Sequence, residues 1–141
     1  MRIFARTAVV ILCWGVSNAA LAYPPIVNYQ LQCMGCHLAD GSGQPGRVPS
    51  VRRSLALLSA TPEGRDFVIR VPGVAQSSLS SEETAELLNW MLKNLSDLQV
   101  PSEVAAYSAD EVQRLRGHPL VQVKSLRARL LRSASQKPPS P

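Results

Sequence analysis

Two cysteines, Cys33 and Cys36, stand two residues apart and are followed at once by a histidine, in the run Cys33-Met34-Gly35-Cys36-His37. No other feature constrains this 141-residue chain as tightly. Sulfurs at positions i and i+3 lie about one helical turn apart, the separation that two thioether bonds to the vinyl groups on one porphyrin edge require. The next residue then turns beneath the ring. There its neutral imidazole can bind iron, while its second nitrogen needs an acceptor to fix the ring's orientation. The run therefore reads as the attachment site of one covalent haem c, with Cys33 and Cys36 as thioethers and His37 as the proximal iron ligand. A thioredoxin-like pair shares the spacing but needs a βαβ setting, for which the sequence gives no sign. A zinc site needs four ligands, and His118 is the one histidine left to supply another.

The start of the chain bears on the compartment. Arg2 and Arg6 give a positive start ahead of an uncharged, mostly apolar run over residues 8–16, and Ala20-Leu21-Ala22 fits a small-x-small cleavage pattern. Residues 1–22 read as a signal peptide cut before Tyr23, because the apolar run is shorter than the ~18–20 residues that a span needs. Cys13 leaves with it, and the expected location is the periplasm. Aromatic residues are only 5% of the chain, thin for an all-protein core, so a bound haem would supply missing apolar surface.

Helical signals fill the remainder. Tyr23-Pro24-Pro25 predicts an extended start, followed by a helix from residue 26 through the attachment motif. A loop rich in Gly, Ser and Pro follows over 38–50. Residues 54–59 predict one or two helical turns. Thr61 and Pro62 predict another short helix, with Thr61 as N-cap and Pro62 in first position. Ser80 with Glu83 makes a capping box, and Leu88, Met91, Leu92 and Leu95 then fall on one apolar stripe. Ser108 with Glu111 makes a second box, for a helix that Gly117 would close in a left-handed conformation before Pro119. Leu120, Val123, Leu126 and Leu130 give a third pattern. With no convincing strand alternation, the expected fold is all-α. It divides into a haem domain over 23–98, a basic helical extension over 99–132 and a disordered tail over 133–141.

On these residues the sequence resembles the class I monohaem cytochromes c, over about residues 27–95. The lead-in of residues 26–32, the motif, and Leu38-Ala39-Asp40-Gly41-Ser42-Gly43 after it match the family's short helix and Gly-rich stretch. The resemblance implies that the Pro49 carbonyl accepts the second N–H of His37. It also makes residues 80–95 the family's final helix, with Trp90 as the haem-pocket aromatic. The family's second axial ligand is a methionine in the loop before that helix, but Arg70-Val71-Pro72-Gly73-Val74-Ala75-Gln76-Ser77-Ser78 contains none. Met91 and His118 are the remaining candidates for the sixth ligand, each with a competing reading as core methionine and surface histidine.

The resemblance implies an electron carrier rather than an enzyme. The expected partners are redox proteins, a periplasmic dehydrogenase as donor and an oxidase or cytochrome as acceptor. Two other functions stay open: a haem-bearing subunit of a larger complex, and a ligand-binding or catalytic haem protein with an open distal iron. Charge is uneven, with six basic and seven acidic groups over 23–100 against seven basic and three acidic over 101–141. The basic C-terminal part suits an acidic partner or peripheral contact with anionic lipid, and an exported protein is not expected to meet nucleic acid.

Overall fold

A computed structural model describes residues 22–136. The expected signal segment with Cys13, Ala22 apart, and residues 137–141 of the expected tail lie outside the described residues. Helices follow one another as α1 (Pro25–Gln32), α2 (Ser54–Ser59), α3 (Pro62–Arg70), α4 (Pro72–Ala75), α5 (Ser81–Asn94), α6 (Ala109–Leu115) and α7 (Val123–Gln136). Among the described residues the one β feature is an isolated bridge between Gln44 and Val48. The fold is all-α.

Local chemistry explains where the helices begin. Thr61 caps α3 by accepting from the Gly64 N–H at 3.1 Å, with Pro62 in the first position. Ser80 and Glu83 form both halves of a capping box on α5, at 3.1 and 2.9 Å. At α6 only half of the second box forms. Ser108 Oγ accepts from the Glu111 N–H at 3.2 Å, while the Glu111 carboxylate turns to the Arg65 guanidinium instead. A two-point charged hydrogen bond outcompetes a single neutral N–H.

Several boundaries differ from expectation. Pro25 opens α1 rather than preceding it, since a proline at the first position loses no intrahelical bond. That helix stops at Gln32, before the motif. Residues 72–75, expected as loop, make one helical turn behind Pro72. Gly117 is not left-handed. Instead α6 ends on Arg116 in ordinary helical geometry, and the His118 N–H reaches the Leu115 carbonyl at 3.3 Å. Residues 133–136, expected to be disordered, continue α7, because the first proline beyond Val123 is Pro138.

One apolar core joins these pieces. Tyr29 of α1 meets α5, where Leu88, Met91 and Leu92 are buried. Leu55 and Leu58 of α2 join Phe67 and Ile69 of α3 in the same cluster. A Cβ on Gly64 would lie 2.0 Å from the Leu58 carbonyl oxygen, so α2 and α3 approach as closely as they do because residue 64 has no side chain. The extension packs onto this body: α6 against α5 and α3, and α7 against α2 and α3 through Val123, Leu126, Leu130 and Leu131.

Tyr107 is the main fastening of the extension. Its backbone exchanges two hydrogen bonds with the Asn89 side chain, at 2.8 and 3.0 Å, and its hydroxyl shares a 2.7 Å bond with Ser59 Oγ. Arg116 is the second fastening. Its guanidinium donates to the carbonyls of Leu79 at 2.7 Å, Ser77 at 2.8 Å and Ala75 at 3.4 Å, pinning the link between α4 and α5.

Candidate functional site

Cys33 is the C-cap of α1, its N–H bonded to the Tyr29 carbonyl at 2.9 Å. The chain then turns about a single acceptor. The Cys33 carbonyl takes the Cys36 N–H at 3.1 Å and the His37 N–H at 2.9 Å. The motif is thus a hydrogen-bonded turn off the end of α1 and not the continuous helix expected, yet the turn keeps the i, i+3, i+4 relationship that attachment requires.

The two thiols are free and differ in exposure, Cys33 half-buried and packed against the core, Cys36 exposed. Burial, aided by the neighbouring Cys36, pushes the Cys33 thiol up to about 11. It also sits at the negative end of α1, which disfavours a thiolate. A reactive redox thiol needs the opposite, a lowered pKa at a positive helix end, so Cys33 is not poised as a redox nucleophile. Among the described residues no three His, Cys, Asp or Glu side chains gather in a way that could hold a metal ion, which leaves the zinc reading without ligands.

His37 is half-buried, and burial holds its imidazole below the usual histidine range, hence neutral near pH 7. Its Nδ1 is buried without a hydrogen-bond partner. Leaving such an atom unpaired costs on the order of 1–3 kcal/mol. The Pro49 carbonyl, expected to accept from His37, does not do so. The loop folds on itself instead, with Gly46 at φ +74°, the Val48 N–H on the Gln44 carbonyl at 2.8 Å and the Val51 N–H on the Gly41 carbonyl at 2.9 Å. That closure leaves Pro49 exposed.

The start of this loop is tied back to α1 and α5. Tyr29, four residues before Cys33, donates its hydroxyl to the Leu38 carbonyl at 2.7 Å. Arg52 bridges Asp40, at 2.8 Å, to Asp97 just beyond α5. Hydrogen bonds from Ser42, then those from Arg52, hold the Asp40 carboxyl below its usual range, while Arg52 does so for Asp97.

Trp90 packs against Tyr29, ring centroids 5.8 Å apart and planes tilted by 43°. Met91 is buried in the core cluster. The His118 side chain is exposed, and its carbonyl accepts from Arg70 Nε at 2.7 Å. Tyr29 had a readable signal, an aromatic one turn before the first cysteine. Arg116 had none, because the groups it binds are backbone carbonyls.

Among the described residues, five of the six large apolar side chains left exposed, Tyr23, Ile26, Leu31, Met34 and Leu38, fall in and around the Cys33–His37 turn. Such crowding next to two free thiols and a neutral, incompletely paired imidazole fits a large planar apolar group bound there. A haem meets each requirement, with Cys33 and Cys36 to hold it and His37 to ligate iron.

No family model matches the chain. Two known proteins from Thermus thermophilus do, each named cytochrome c-552. One is 29% identical over 133 residues, covering 82% of this chain and 88% of the relative. The other is 30% identical over 107 residues, covering 63% of this chain and 82% of the relative.

Proposed function

The chain belongs to the c-type cytochromes, and from that premise we propose that it is an exported electron carrier with its haem held by Cys33 and Cys36 and ligated by His37. It carries one covalent haem c and serves electron transfer. The observation that supports the residue assignment is the turn in which one carbonyl, that of Cys33, orients both Cys36 and His37.

Bound haem supplies a one-electron iron couple. The chain's residues do the rest. Neutral His37 offers a lone pair without first losing a proton. Tyr29 fixes the exit of the turn through Leu38, and its ring contact with Trp90 ties α1 to α5. The residues 1–22 favour a periplasmic location. The charge excess beyond residue 100 favours an acidic redox partner, a dehydrogenase as donor and an oxidase or cytochrome as acceptor, with peripheral membrane contact as a further role for the same charge.

A second reading, small-ligand binding at an open iron, draws on the segment between α4 and α5. It contains no methionine and is fastened by Arg116. Rapid carbon monoxide binding by the reduced protein would favour this reading, and failure to bind would remove it.

The test of the first reading is intact mass and optical spectrum after expression in cells competent for haem attachment. The expected result is a chain heavier by one haem, with the addition lost in a Cys33→Ala/Cys36→Ala variant. A wild-type mass equal to the bare polypeptide overturns the proposal.

A further inference from the structure

A cleft of about 500 Å³ lies between the turn at residues 44–48 and the first turns of α7. Three cations line it, Arg47 from the turn and Lys124 and Arg127 from the helix, and no carboxylate does. Among the described residues none of the three forms an ion pair. Of the acidic groups nearest along the chain and on the packed helices, Glu63 of α3 forms no ion pair among the described residues but does not line the cleft, and the two others are committed elsewhere. Asp40 is held by Ser42 and Arg52, and Asp66 by Arg70. Arg127 is half-buried, and burial lowers its pKa, a cation partly withdrawn from water without compensation.

The cleft is built rather than incidental. Gly46 at φ +74° and the Gln44–Val48 bridge give the turn that carries Arg47 a defined shape. On the other wall, α7 is anchored by Leu126 and Leu130, which sets the positions of Lys124 and Arg127 on its open side. A guanidinium presents paired N–H donors that match the oxygens of phosphate, and three converging cations suit more than one negative charge.

We propose that this cleft binds an oxyanion of the phosphate type carrying two or more charges. That chemistry is offered either by a free phosphate compound or by the headgroup of an anionic phospholipid. The proposal rests on these cations and not on the haem assignment, although Pro49 also lines the cleft.

The test uses the haem-loaded protein at low ionic strength. Calorimetric titration with inorganic phosphate forms one arm, and co-sedimentation with anionic or neutral phospholipid vesicles the other. Wild type is compared with Arg127→Gln, with Lys124→Gln as the exposed alternative should the first fold poorly, and with Arg132→Gln, an exposed α7 cation away from the cleft. Saturable phosphate binding that weakens about tenfold or more in the cleft variants, and little in Arg132→Gln, supports a free-anion site. Binding only to anionic vesicles, with the same pattern among variants, supports the headgroup source. Binding in neither arm, or equal weakening by Arg132→Gln, overturns the proposal.

Discussion

The Arg65 guanidinium lies 4.1 Å from the centroid of the Tyr107 ring while it forks onto the Glu111 carboxylate. One cation thereby joins α3, the link before α6, and α6 itself, and both members of the ion pair are more than four-fifths shielded from solvent. Removing one partner strands the other in a partly dry site. Arg65→Leu should lower the unfolding free energy by roughly 2–4 kcal/mol in urea titration, with the loss concentrated in the attachment of residues 99–132. A change below the error of the titration would mean that the extension is held by its apolar contacts alone.

Tyr107 links stability to alkaline pH. Burial pushes its hydroxyl up to about 12, outweighing the lowering by Ser59 and Arg65. The folded state therefore holds the proton more tightly than the unfolded chain does. Its stabilisation is complete below about pH 10 and is lost as pH rises through 12, about 2–3 kcal/mol across that window. In Tyr107→Phe this component should be missing, at a cost of about 1 kcal/mol at neutral pH from the lost Ser59 bond. Wild type, about 1 kcal/mol the more stable at neutral pH, should lose that lead above about pH 10 and fall below the variant by pH 12, and stability curves that stay parallel would refute the linkage.

Arg116 holds the carbonyls of Ala75, Ser77 and Leu79 in place. Arg116→Leu removes every one of these donors, and the expected cost is about 2 kcal/mol. Amide exchange in residues 76–80 should accelerate more than exchange in α5. Uniform acceleration would show that the arginine supports the whole fold and not this link.

Met91 is buried among leucines and His118 is exposed, in keeping with the core-methionine and surface-histidine readings. Met91→Leu conserves volume and should cost less than about 1.5 kcal/mol, and His118→Ala less than about 0.5 kcal/mol. Both variants should keep the wild-type ferric spectrum. Loss of a sulfur-to-iron band in the first, or a changed spin state in the second, would assign the sixth ligand to that residue.

Arg52 offers a titration with two distinguishable readouts. It is the leading cause of the lowered Asp97 carboxyl, whereas Ser42 leads for Asp40. In Arg52→Gln, carboxyl-carbon NMR should show Asp97 returning toward its ordinary range and Asp40 moving less. Depressed carboxyls favour the folded state above the ordinary carboxylate range, and that advantage fades as pH falls. The two proteins should accordingly become alike in acid.

Much of this arrangement was legible because local chemistry carried it. Thr61-Pro62 and Ser80 with Glu83 name their own helix starts, and the spacing of Leu88, Met91 and Leu92 marks the buried face of α5. The spacing of Cys33, Cys36 and His37 was legible as a motif, and its local shape, a turn off the end of α1 instead of a continuous helix, was not. What escaped depends on groups far apart in sequence. Glu111 abandons its capping box for Arg65, Gly117 is bypassed once Arg70 and Leu120 bond, and Pro49 is turned outward by a loop that closes on Gln44. Each is a competition between a near partner and a distant one, and only the near one is written locally.

The pairing of Tyr29 with Trp90 fixes an order of events as well as a contact. A polypeptide emerging from its amino end presents the two thiols before α5, the helix against which α1 packs through Tyr29. Until α5 follows, the segment has nothing to dock against. A haem attached as proposed would therefore meet a tether that α5 orders only afterwards.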